Sequence, residues 1–130
     1  MTSLTDRPIM DTFFLGFIGL GASAQNLQLN VPNTGTAAIT TPDNYVLVVD
    51  YINVTQHVAA GVIALQMTNG VITIPLWKWG ITTAETSKDA VDGFDIHIQV
   101  PRGYYLQGLT SGGSCDMIIA AHYEKGGSFS

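Results

Sequence analysis

Asp95 and His97 are the first residues whose spacing could do chemistry, because side chains two apart on a strand share one face. A metal pair or an acid–base pair needs that arrangement. Asp50, Asp116 and His122 could complete such a site only where a sheet folds them beside it. A zinc site needs three or four converging ligands, and no tight His/Cys spacing supplies them. Alternation instead places Asp95 and His97 on a solvated face. Ser, His and Asp all occur, but no strained nucleophile elbow does. The glycines of "TSGGSC", residues 110–115, have no helical pattern after them, so a phosphate cradle is not expected. Cys115 is the only cysteine and opens an apolar strand, where it reads as a small core residue. With no second cysteine there is no intrachain disulfide, and nothing points to an oxidising compartment. Asn53-Val54-Thr55 matches a glycosylation sequon inside a strand pattern, which reads as chance. These residues give no catalytic, cofactor-binding or metal site, and the chain reads as a non-enzyme without a cofactor.

One aromatic pair stands out. In "LWKWG", residues 76–80, Trp77 and Trp79 flank Lys78, so both rings point to one side. Paired rings of this kind stack on sugars or anchor a protein interface, and they also close the end of a sandwich core. All three readings stay open at this level.

The elements that must carry these residues are strands. From Leu27 onward the hydrophobic period is two, not 3.6. "LQLNV", residues 27–31, alternates and then breaks at Pro32-Asn33-Thr34-Gly35. "TAAIT", residues 36–40, reads as a short strand before a turn at Pro42-Asp43-Asn44. "YVLVVDYINVT", residues 45–55, is a long strand rich in β-branched and aromatic residues. Simple alternation gives it the faces Tyr45, Leu47, Val49, Tyr51 and Val46, Val48, Asp50, Ile52. "GVIALQMTNGVITIPLW" holds two alternating runs around Asn69-Gly70, the pair favoured by a type I′ hairpin turn. Pro75 should mark an edge or a bulge. Residues 80–93 are the most polar stretch and read as a long connection. "FDIHIQV", residues 94–100, presents Phe94, Ile96, Ile98 and Val100 on one face. Pro101-Arg102-Gly103 and Ser111-Gly112-Gly113-Ser114 then turn the chain through "YYLQGLT" and into "CDMIIAAHYE". No helix is expected. Seven or eight short strands with turns between them point to an all-β fold, a single β-sandwich or jelly roll.

Composition bounds the partners. The chain has 130 residues, enough for one domain that folds without disulfides or metal. Only 12% of them are charged, about half the usual share of roughly 25%. A surface so poor in charge suits contact with other protein. The net charge is −5, and Arg7, Lys78, Lys88, Arg102 and Lys125 are scattered, so nucleic-acid binding is not expected. No apolar run reaches about 18 residues, so no spanning helix and no membrane role are expected.

"FFLGFIGLGASAQN", residues 13–26, is apolar and ends in small residues like a secretory cleavage site. Its apolar core is short and broken by Gly16 and Gly19, and Asp6 and Asp11 outweigh Arg7 where a signal peptide needs a basic segment. The expectation is therefore an extended N-terminal arm over residues 1–26. Phe13, Phe14, Leu15, Phe17, Ile18 and Leu20 would make its contacts with a neighbouring subunit; the alternative is an edge strand of its own domain. The sandwich would then span 27–125, with a loosely held tail at 126–130.

"VVDYINVTQ" and "IQVPRGYYLQGLTSGGSCDMIIAAHYE" carry a resemblance. The block Val46 to Glu124 resembles small jelly-roll virion proteins of tailed bacteriophages, the capsid decoration or cement proteins and head-fibre modules. The matching residues are Val100, Pro101, Gly103 and Leu106 in a turn leading into a strand, and His122, Tyr123 and Glu124 at the end of the last strand. These are structural matches and bring no functional residues. The resemblance implies a homotrimer, made in the host cytoplasm and placed on the capsid exterior of the virion. Its partner would be the major capsid protein, and its arm would insert between capsid subunits to stabilise the head. The other expectations are a receptor- or carbohydrate-binding module of a phage tail or fibre, and a small jelly-roll coat or tube subunit.

Overall fold

Alternating apolar residues, turn glycines and prolines, and a lack of helical periodicity leave strands as the way to bury the apolar side chains. The structure is a computed structural model that describes residues 12–29, 39–55, 59–82 and 91–125. It holds eight strands: β1 (Phe13–Leu20), β2 (Gln25–Asn26), β3 (Tyr45–Thr55), β4 (Gly61–Thr68), β5 (Thr73–Ile81), β6 (Val91–Val100), β7 (Tyr105–Thr110) and β8 (Cys115–Lys125). No helix occurs among the described residues. The strands form two packed four-stranded antiparallel sheets, ordered β1-β8-β3-β6 and β2-β7-β4-β5.

The pairing has a simple rule. β4 pairs with β5, β3 with β6, β2 with β7 and β1 with β8. The chain is thus one long two-stranded ribbon, folded so that β3 meets β8 and β4 meets β7. This is jelly-roll connectivity, in agreement with the expected fold class. The ribbon turns at the β4–β5 hairpin, the strongest local signal in the sequence.

That turn differs from the expected two-residue type. Thr68 pairs with Thr73, so the loop is Asn69 to Ile72. Asn69 Oδ1 accepts the Val71 and Ile72 N–H groups at 2.9 and 2.7 Å, and Gly70 sits at φ +93°. The Asn side chain organises a longer loop that leaves Val71 89% exposed.

Leu47, Val49, Ile52 and Val54 of β3 face the interior, with Ile63 and Leu65 of β4 and Met117 and Ile119 of β8. Simple alternation misplaces Tyr51 and Ile52. A bulge at Asp50 shifts the register between Val49 and Tyr51, which turns Ile52 inward and Tyr51 outward. Pro75 lies in edge strand β5, where the register shifts beside it, as its missing N–H requires. The expected connection over 80–93 is shorter, since Gly80 and Ile81 end β5 and Val91 opens β6. The expected turn over 32–35, most of "TAAIT", residues 83–90 and the tail 126–130 lie outside the described residues.

The largest correction concerns the N-terminal segment. Residues 13–20 are not an arm outside the domain; they form β1, the edge strand of their own sheet, with Phe13 opposite Ala121 and Phe17 opposite Met117. Leu15 and Leu20 are fully buried in the common core, and Phe13 and Phe17 pack against it. Gly19, at φ +85°, forms a bulge that lets Leu20 rejoin β8 at Cys115. Gly16 and Gln28 exchange backbone hydrogen bonds of 2.8 and 2.9 Å, tying the far edge of β1 to the segment after β2. β2 in turn pairs with β7. The sandwich therefore begins before residue 27. The physical reason is room: Gly108 of β7 leaves the space that Leu20, Leu27 and Met117 fill, and a Cβ there would lie 2.9 Å from Leu20 Cδ1.

If β1 is integral, Leu15→Ala should cost about 2–5 kcal/mol of stability in urea denaturation, as for other fully buried leucines. Phe14→Ala, on the outer side of the same strand, should change it by about 0.5 kcal/mol or less. Equal, small effects would contradict the buried register.

Candidate functional site

The bulge at Asp50 also has a polar consequence. On the outer face of the first sheet, β3 and β8 run side by side, with Val48 opposite His122 and Val46 opposite Glu124. Bulging re-aims Asp50 toward β8, where its Oδ2 lies 2.6 Å from His122 Nδ1. The other ring nitrogen, Nε2, lies 2.8 Å from Glu124 Oε2. His122 is thus bracketed by two carboxylates, its side chain 20% exposed and Val48 fully buried beside it. The hydrogen bond to Glu124 raises the imidazole pKa most, Asp50 raises it further, and burial works in the opposite direction.

The structure therefore joins Asp50 and His122, but without the other candidates. Asp95 and His97 lie exposed on β6, on the solvated face that alternation gives them. Asp116 accepts the Gly19 N–H at 2.9 Å and so secures the β1 bulge. Among the described residues, no group of three or more His, Cys, Asp or Glu side chains is arranged to hold a metal ion. Glu124 was not a candidate on sequence; the available signal was its spacing of two from His122 on a strand.

Trp77 and Trp79 do share a side, and that side faces inward. They lie opposite Leu65 and Ile63 in the β4–β5 register and pack against the core. Their ring centroids stand 5.2 and 4.9 Å from that of Phe94 on β6. β5 and β6 are the edge strands of the two sheets, so these three rings close one open side of the sandwich. Neither indole forms the outward platform that sugar stacking requires.

"TSGGSC" is likewise structural. Ser111 caps β4 by accepting the Val62 N–H on Oγ and donating its own N–H to Val62 O, at 2.9 and 3.0 Å. Gly112 lies against the loop before β4, where a Cβ would stand 2.6 Å from Ala59 O. The sequon asparagine, Asn53, lies within β3, paired with Gly93 of β6 on one side and Ile118 of β8 on the other, not on the surface loop that glycan acceptors occupy. A cavity of about 90 Å³ lies between Ile39–Thr41 and Gly103–Tyr105. It is far smaller than the roughly 300–1,000 Å³ of small-molecule sites.

Apolar groups are prominent on the outer face of the first sheet. Phe14, 61% exposed, stands opposite Ala120, and Ala120 stands opposite Tyr51, 37% exposed. Ile118 follows on the same face of β8, beside Gly16 and Asn53. Of the expected arm contacts, Phe14 and Ile18 (39% exposed) face outward, while Leu15 and Leu20 are interior. The hairpin tip adds Val71 and Ile72. The outer face of the second sheet is instead crossed by amides: Gln66 Nε2 donates to Gln107 Oε1, and Gln107 Nε2 donates to Asn26 Oδ1, both at 2.9 Å.

Cys115 is buried and its thiol pKa is pushed up to about 12, first by burial and then by the neighbouring Asp116 charge. It should not react with a disulfide reagent at about pH 8 in the folded protein, because the thiolate is the nucleophile. Denaturant should release one reactive thiol per chain; rapid labelling of the native protein would place Cys115 outside the core. No protein-family model matches this sequence, and comparison with curated proteins finds no relative.

Proposed function

We propose that this chain is a non-enzymatic structural protein of a tailed-phage virion: a homotrimeric capsid decoration protein that stabilises the head by burying surface against the major capsid protein. The observation that carries the reading is the apolar strip on the first sheet, Phe14–Ala120–Tyr51 with Ile118 and Ile18 beside it. Exposed large apolar groups in contiguous positions mark protein contacts more often than catalytic surfaces. The jelly-roll connectivity supports it as an analogy of fold, since that architecture recurs in capsid proteins and also in others.

The mechanism differs from arm insertion by residues 13–20. Those residues hold the domain together as β1, so the grip falls to the sheet face and the hairpin tip. In this proposal the strip packs between subunits of the trimer, and the tip carrying Val71 and Ile72 is offered to the capsid. The protein would be made in the host cytoplasm and sit on the capsid exterior. The carbohydrate-binding alternative has lost its platform, because Trp77 and Trp79 face the core.

Light scattering tests the reading. The full chain should give a mass about three times 13.9 kDa and bind undecorated heads of the cognate phage. Phe14→Asp combined with Tyr51→Asp should yield a folded monomer with at least about tenfold weaker binding, since avidity is lost with the trimer. A wild-type monomer that ignores such heads would overturn the reading. Closed shells or tubes formed by the chain alone would replace it with a coat or tube subunit.

A further inference from the structure

We infer that Asp50, His122 and Glu124 form a proton-held latch across β3 and β8, which strengthens the first sheet in acid and loosens it in alkali. The inference is independent of what the sheet faces bind. It starts from hydrogen-bond capacity: an ionised carboxylate only accepts, and a neutral imidazole carries one N–H. His122 has a carboxylate oxygen at each ring nitrogen, 2.6 Å away on Asp50 and 2.8 Å away on Glu124. Both contacts become N–H donations only when the ring holds two protons. The doubly protonated ring then makes two charge-assisted hydrogen bonds at once, the strong kind.

Placement turns this into a device of the fold. Glu124 and His122 are on β8, while Asp50 comes from the bulge in β3, so the latch spans the pairing that closes the folded ribbon. Among the described residues, other ionisable groups around it are few. β1 presents Phe14, Gly16 and Ile18 on this face and has no ionisable side chain within Phe13–Leu20. β3 adds Tyr51, β6 adds Asp95 and His97 beyond β3, and Asp116 at the start of β8 is bound to the Gly19 N–H. Lys125 ends β8 and is exposed. The acidic setting favours the imidazolium, consistent with the raised His122 pKa.

The sign follows from linkage. A folded-state pKa above the unfolded value, roughly 6.5, gives stability that is fully present below that value. The contribution is lost as pH rises through the raised folded pKa.

The test pairs a titration with melting curves. Imidazole nitrogen NMR on the full chain, with His122 assigned from the His122→Asn spectrum, should show both nitrogens protonated on the acid side of a single transition. The transition should lie above the roughly 6.5 of an unperturbed histidine. The Tm advantage of wild type over His122→Asn should be a few degrees at about pH 6 and shrink by about pH 9. If His122→Asn does not fold, Asp50→Asn and Glu124→Gln keep the idea testable, because each should lower the His122 transition. A His122 transition at or below that of an unperturbed histidine would overturn the latch. So would a Tm difference that does not change with pH.

Discussion

The pairing of β1 against β8 is the contact on which the other features depend. It brings Phe13 opposite Ala121 and Phe17 opposite Met117, joining the two ends of the described chain. Without β1, the inner face of β8 would lose Leu15 and Leu20 as neighbours, and the core would open along one side. Burying those two leucines stabilises the fold by about 1.5–3 kcal/mol each before ordering costs. The same contact is strongly non-local, so loop closure over most of the chain precedes any reward from it. Several small devices make it specific: the left-handed Gly19, the Asp116 carboxylate on the Gly19 N–H, and the Gly16–Gln28 bridge on the far edge.

Most of the described strands, and turns such as Pro101-Arg102-Gly103, were legible because their signals are local, although Asn69-Gly70 marked the place of its hairpin and not the length of the loop. Alternation placed Phe94, Ile96, Ile98 and Val100 inward and Asp95, His97 and Gln99 outward, and the structure keeps both faces. Pro101-Arg102-Gly103 makes its turn through the Tyr104 N–H on Pro101 O, with Gly103 at φ +94°. Non-local facts were not legible. No local pattern marks Asp50 as a bulge, so the facing of Tyr51 and Ile52 came out reversed. The segment 13–20 is apolar whether it grips a neighbour or its own sheet; only Gly108, far along the chain, reveals the space waiting for Leu20. Trp77 and Trp79 were correctly set on one side, but which side depends on Phe94 of β6.

The two sheets present different outer faces. The second carries the amide chain Gln66–Gln107–Asn26, linked by two side-chain hydrogen bonds. The first carries an apolar strip at its β1 margin and, one strand over, the bracketed His122. Both features of the first sheet need β1 in place: the strip because Phe14 and Ile18 belong to it, the latch because β1 braces the opposite edge of β8. The assembly proposed here is therefore a property of the completed sandwich, and the N-terminal strand contributes by closing the fold.

Native-state hydrogen exchange across β1 and β8 tests that claim most directly. Paired amides of an integral strand open only with the larger unit to which they belong. The account predicts that the β1 amides bonded to β8 exchange as slowly as those β8 shares with β3. Exchange of β1 at loop-like rates, while β8 stays protected against β3, would contradict it and return residues 13–20 to the status of a detachable arm.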